Sequence, residues 1–145
     1  MTKTIWMLVF LGFAAVASAQ VKVHVYTSLP TDGFVTAESK VLQTIVQQAS
    51  KVLAKEKKLV VLTDDATVSV EVMSYELIRN GTTQLVAGRT LEILQEQAHS
   101  VLRIGDHVTN LDTTVSTAES YSPSVGERLG YQIRTWIKDN AERLK

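Results

Sequence analysis

The sequence predicts an α+β fold, a two-layer sandwich in which a mixed, largely antiparallel sheet carries two helices packed on one face. Three observations lead there. Valines alternate with polar residues from Val21 to Tyr26 and again from Val68, which is the period of a half-buried strand. Two long stretches, one after Gly33 and one at the carboxyl end, repeat apolar residues at helical spacing. The order strand, helix, antiparallel hairpins, helix then favours helices laid against one side of a sheet.

Residues 1–19 stand apart from that fold. Lys3 precedes a stretch from Ile5 to Val16 that is apolar apart from Gly12, followed by Ala17-Ser18-Ala19. A membrane span needs about 20 apolar residues, whereas the core of a secretory signal needs about 7 to 15. The small residues at 17 and 19 suit signal peptidase, so cleavage is expected before Gln20. The expected mature chain, 20–145, is a single exported domain, periplasmic or secreted, with no transmembrane segment left after cleavage.

Lys3 is the only charged residue of the signal segment, leaving 14 basic against 15 acidic residues in the mature chain. A near-neutral domain without a basic cluster lacks the footprint that neutralises several phosphates at once, so no nucleic-acid partner is expected. The chain has no cysteine. Disulfide staples are therefore excluded, and a lipid anchor is not expected, since a bacterial lipoprotein carries its lipid on a cysteine at the cleavage point.

Along the mature chain, Val21, Val23 and Val25 form one face of a first strand, with Lys22, His24 and Tyr26 on the other. Turn formers from Ser28 to Gly33 follow. Val41, Leu42, Ile45, Ala49, Val52 and Leu53 then share a stripe, predicting a helix from about Thr36 to Lys55. Lys51, Lys55, Lys57 and Lys58 gather near its carboxyl end, where cations complement the helix dipole. The short apolar run Leu59 to Leu62 suits a central strand covered on both faces.

From Thr67 the alternation resumes with Val68, Val70 and Val72, then moves to the opposite parity at Met73, Tyr75 and Leu77. A period of two cannot change face without an extra residue. Either a bulge sits near Met73 or the strand outgrows its sheet and uses a second face. In the second case Met73, Tyr75 and Leu77 are a candidate interaction face, because an apolar strand face left in water needs cover, from this chain or from a partner.

Asn80-Gly81 is the favoured pair for a two-residue hairpin turn, since both positions accept positive φ. That turn accounts for Asn80 without the sugar that the Asn80-Gly81-Thr82 sequon would accept. In the stretch Gln84 to Gln97, Leu85-Val86-Ala87-Gly88 reads as returning strand, while Thr90 to Ala98 fits either a short capped helix or a twisted strand, of which strand is favoured. A second hairpin turns at Gly105-Asp106, with Leu102, Ile104 and Leu111 on one face and Arg103 and Asn110 on the other. The Ser- and Thr-rich stretch from Thr113 to Ser124 reads as an exposed linker. Ser122 as cap and Pro123 at the first helical position then open a terminal helix whose stripe includes Val125, Leu129, Ile133, Trp136, Ile137 and Leu144, with Trp136 as a core anchor.

No constellation for catalysis emerges. His24, His99 and His107 lie on or beside strands without metal-site spacing, and Asp64, Asp65 and Asp32 offer too few oxygens for calcium, which takes about six to eight. Glu71 and Glu76 are separated by the suspected bulge, so their spacing supports no paired-carboxylate mechanism. There is no nucleophile elbow and no phosphate loop. No catalytic residue, metal ligand or cofactor is expected.

The strand Val21 to Leu29, the long helix, the segment Leu59-Val60-Val61-Leu62-Thr63-Asp64-Asp65-Ala66 leading into Val68-Ser69-Val70-Glu71-Val72, and the closing Trp136-Ile137-Lys138 helix resemble small exported acidobacterial proteins. More distantly the order is similar to α/β domains of envelope assembly proteins, the curli-export lipoproteins and the amino-terminal domain of TolB. That resemblance implies an interaction or assembly-accessory module of the cell envelope, partnered by another envelope protein or by itself, and brings no catalytic residues. The alternative is a small-molecule-binding protein or hydrolase with a site between the terminal helix and the sheet, drawing on His107 or Asp64.

Overall fold

The computed structural model describes residues 20–28, 37–118 and 124–144. The signal segment, Asp32 and the expected caps Ser122 and Pro123 lie outside the described residues. Five strands form one sheet in the order β2-β1-β3-β4-β5: β1 (Val21–Tyr26), β2 (Val60–Leu62), β3 (Val68–Val86), β4 (Arg89–Ile104) and β5 (His107–Ala118). Strand β1 pairs parallel with both β2 and β3, whereas β3, β4 and β5 run antiparallel. Helices α1 (Ala37–Ala54) and α2 (Val125–Asp139) cover one face. The expected α+β sandwich is the observed fold.

The core lies between these layers. Val23, Val25, Val68, Val70 and Val72 of the sheet meet Leu42, Ile45, Ala49 and Leu53 of α1 and Leu129, Ile133 and Ile137 of α2. Each fully buried aliphatic side chain contributes about 1.5 to 3 kcal/mol, so the valine face and the two stripes supply the main driving force. The helices touch where α2 has glycines. A Cβ on Gly126 would sit 2.6 Å from the Ile45 carbonyl oxygen, and one on Gly130 would sit 2.7 Å from Val52 Cβ. The backbones approach so closely because nothing projects there.

The parity change in β3 is a bulge. Val72 pairs with Ser100 and Ser74 with His99, so Met73 is the extra residue. Tyr75, opposite Ala98, and Leu77, opposite Glu96, therefore face the helices with Val72.

Several expectations are corrected. Asn80-Gly81 makes no turn; β3 continues through it, and the register skips from Arg79/Leu94 to Thr83/Glu92. The Asn80 side chain accepts the Thr82 N–H at 3.0 Å and Gly81 takes φ 75°, so the pair forms a second bulge. The turn falls at Ala87-Gly88, both with positive φ (49° and 78°), closed by Val86 opposite Arg89. Strand β2 is an edge rather than a centre, with Val60 buried but Val61 and Leu62 exposed. Thr113 to Ala118 is no linker: it extends β5 against β4, because threonine and valine are β-branched and fit the pleat. The terminal helix ends at Asp139, and Leu144 lies on a following turn of 3-10 helix.

Candidate functional site

Three features of the surface have chemistry or shape beyond that of the core. The most extended is an arm. Among the described residues β5 pairs with β4 only as far as Ala118, opposite Ile93, while β3 and β4 continue as a two-stranded ribbon to the turn at Ala87-Gly88. Every residue from Arg79 to Thr90 is exposed. Near its tip Leu85 is 72% exposed and Val86 44%. A lone two-stranded ribbon is at best marginally stable in water. The arm also carries a long Arg79 to Glu92 ion pair at 4.0 Å between an exposed guanidinium and a half-buried carboxylate, a contact of small energetic value.

The second feature is the polar face opposite the helices. Ser74, His99 and Asp112 stand in one row across β3, β4 and β5. His99 Nδ1 lies 2.7 Å from Asp112 Oδ1. The row has the order of a nucleophile, a base and an orienting carboxylate, but no hydrogen bond joins Ser74 to His99 among the described residues, and Asp112 is largely exposed. What the row holds is a solvent-exposed hydrogen bond between His99 and Asp112. Nearer β1, Glu71 accepts from Arg103 at 2.9 Å and from the Ser28 and Tyr26 hydroxyls. These donors, Ser28 first and Arg103 next, hold the Glu71 carboxyl below its ordinary value.

The third is a groove of about 470 Å³ along the open edge of β5, between Asn110, Leu111 and Asp112 of the strand and Arg128, Tyr131 and Trp136 of α2. Gln132 spans its floor: Thr113 Oγ1 donates to Gln132 Oε1 at 2.6 Å, and Gln132 Nε2 donates to the Asp112 carbonyl at 3.4 Å.

The expected residues fall as follows. Met73 is 43% exposed at its bulge, whereas Tyr75 packs against the core and donates its hydroxyl to Glu96 at 3.0 Å. Leu77 shares the side of Tyr75 and is half-buried. The three do not form one face, because the bulge separates Met73 from the other two. His24 stacks on Tyr26 with ring centroids 4.8 Å apart, on the polar face of β1. His107 and Asp64 are exposed and line neither the groove nor the polar row. The groove between terminal helix and sheet thus exists without the residues expected in it. Among the described residues no cluster of three or more His, Asp or Glu side chains is placed to hold a metal.

Sequence reasoning missed the His99–Asp112 pair and Glu96. The pair depends on the β4/β5 register, which the Gly105-Asp106 turn fixes: counting outward from that turn sets His99 opposite Asp112.

No protein-family model matches the sequence, and no curated protein matches it. Solved structures similar to this chain include rare lipoprotein B from Shewanella oneidensis, with TM-score 0.43 and 9% identity over 85% of this chain and 89% of that one. A protein described as a lipoprotein from Caulobacter crescentus CB15 matches with TM-score 0.37 and 10% identity, over 89% and 97% of the two chains. An uncharacterized protein matches with TM-score 0.31 and 10% identity, over 86% and 88%.

Proposed function

We propose that this chain is an exported, non-catalytic interaction module of the cell envelope, and that the β3–β4 arm is the part that engages its partner. The observation that carries the reading is the arm itself. A two-stranded ribbon with Leu85 and Val86 in water near its tip has little internal reason to stay extended, and a partner that covers those side chains supplies one. Export is supported by Lys3, the apolar run Ile5 to Val16 and the Ala17-Ser18-Ala19 junction. Among the described residues no helix is long and apolar enough to cross a membrane. With no cysteine at the junction, the module works as a released domain rather than a lipid-tethered one.

Affinity capture from crosslinked envelope extract of the producing cells, comparing the wild type with the Leu85→Asp/Val86→Asp variant, tests this reading. The expected result is a reproducible envelope protein retained by the wild type and lost with the variant, while circular dichroism of the variant is unchanged. Equal recovery with both proteins overturns the role of the arm.

A further inference from the structure

The sheet has three edges of different character. Strand β2 is only three residues long. Among the described residues β1 covers β3 only from Val68 to Glu71, and the open remainder of β3 carries both bulges. Short strands and bulges are the devices by which proteins blunt a sheet edge. Strand β5 has neither. It pairs with β4 without a register shift from His107 to Ala118, contains no proline or lysine, and has Asp112 as its one acidic side chain.

The groups that β5 offers follow from its turn. The two-residue turn makes Ile104 and His107 the closing hydrogen-bonded pair, and such pairs alternate along an antiparallel ladder. The backbones of Val108, Asn110, Asp112, Thr114 and Ser116 therefore point outward, as the Gln132 bond to the Asp112 carbonyl confirms. A strand added here projects alternate side chains toward α2, into the groove beside Tyr131 and Trp136.

The flank of α2 on that side reads Arg128, Tyr131, Gln132, Thr135 and Asp139, a stripe at helical spacing with a cation near one end and an anion at the other. Placed antiparallel to its own copy, the stripe sets each cation against an anion. Its midpoint lies next to Gln132, which is bonded to Thr113 and Asp112 at the middle of β5. One two-fold axis, perpendicular to the sheet at Thr113, thus serves strand and helix together and keeps both helical layers on the same side. It pairs outward-facing Asp112 with Thr114 of the second copy. An axis at Asp112 instead opposes two carboxylates, which is unfavourable.

We propose that two copies of this chain join along β5 about an axis at Thr113, forming one continuous sheet, with Arg128 of each copy facing Asp139 of the other. The interface is isologous, so every contact occurs twice.

Sedimentation velocity on the protein as the cells process it decides the matter. A species of twice the chain mass is expected at micromolar concentration, and a monomer at 100 micromolar overturns the proposal. Because symmetry doubles each reversed charge, Arg128→Asp and Asp139→Arg should each weaken the dimer about tenfold or more, and the double variant should restore it. Loss without restoration overturns the pairing. Thr114→Pro removes an outward N–H and should give a monomer with unchanged circular dichroism; a folded Thr114→Pro dimer excludes β5 as the interface. If that variant fails to fold, the charge exchange remains decisive.

Discussion

Glu96 holds the start of helix α2: its carboxylate accepts from the Ser124 hydroxyl at 3.2 Å and from the Ser124 N–H at 3.4 Å, with no exposed surface of its own. Ser124 occupies the N-cap position but makes no side-chain cap to its own helix. The sheet thus gives the N-cap residue the acceptor that a Glu or Gln at the third helical position gives it in a capping box, and Tyr75 bonds the other Glu96 oxygen. Gln48 of α1 accepts the Gly126 N–H that a cap side chain would take. Replacing Glu96 with alanine removes the acceptor of the Ser124 hydroxyl and N–H and of the Tyr75 hydroxyl and should cost about 2 to 4 kcal/mol in urea unfolding. Glu96→Gln keeps an acceptor and should cost less.

The glycines of α2 face backbone and side-chain atoms of α1 at contact distance. Alanine at Gly126 meets the Ile45 carbonyl, which cannot move aside, so the helices must separate. We expect Gly126→Ala to lower stability by about 1 to 3 kcal/mol despite the better helix propensity of alanine, as read by thermal unfolding. Gly130→Ala should be milder, since the Val52 side chain has more freedom to shift.

Glu71 couples stability to acid. Its folded pKa lies below the ordinary value because Ser28 and Arg103 donate to the charged form. A carboxyl depressed in this way contributes fully at neutral pH, and that contribution is lost as the pH falls below about 5 toward the folded pKa. Denaturant midpoints measured down this range should fall more steeply for the wild type than for Glu71→Gln. Parallel curves refute the coupling.

Met73 offers a test of the register. Because Val72 and Ser74 already pair with adjacent residues of β4, deleting Met73 leaves every later pairing and facing unchanged. The deletion variant should fold with the circular dichroism of the wild type and keep Tyr75 on Glu96. Having lost one bulge from the open side of β3, it should also aggregate more readily in light scattering.

Much of this fold was legible. The stripe of α1 predicted its ends within a residue, and the parity change between Val72 and Met73 located a bulge, because both signals are local repeats of known period. The turns were harder. A type I′ turn and a bulge make the same demand for positive φ, so Asn80-Gly81 fitted either, while alanine at Ala87 gives no hint of its φ of 49°. Serine and threonine between Thr113 and Ala118 read as linker by polarity, although threonine also favours strands, and the ladder with β4 settled the matter. A groove between the terminal helix and the sheet was expected, but not its lining, which follows from the β5 register; the arm was invisible because it depends on how far a neighbouring strand pairs, a property of no single segment.

The contact between the two helices joins distant parts of the sequence. Gln48 accepts from Gly126 N–H, and Arg134 donates to Glu56, each across 78 residues. The hairpins of β3, β4 and β5 can form from local chain as it emerges, but the valine face they present stays half uncovered until the last helix arrives. Any chain cut short after Ala118 is therefore a sheet without its second cover. Folding of the whole waits on the final twenty or so residues, which leaves an unfinished chain open to chaperones and proteases throughout its synthesis.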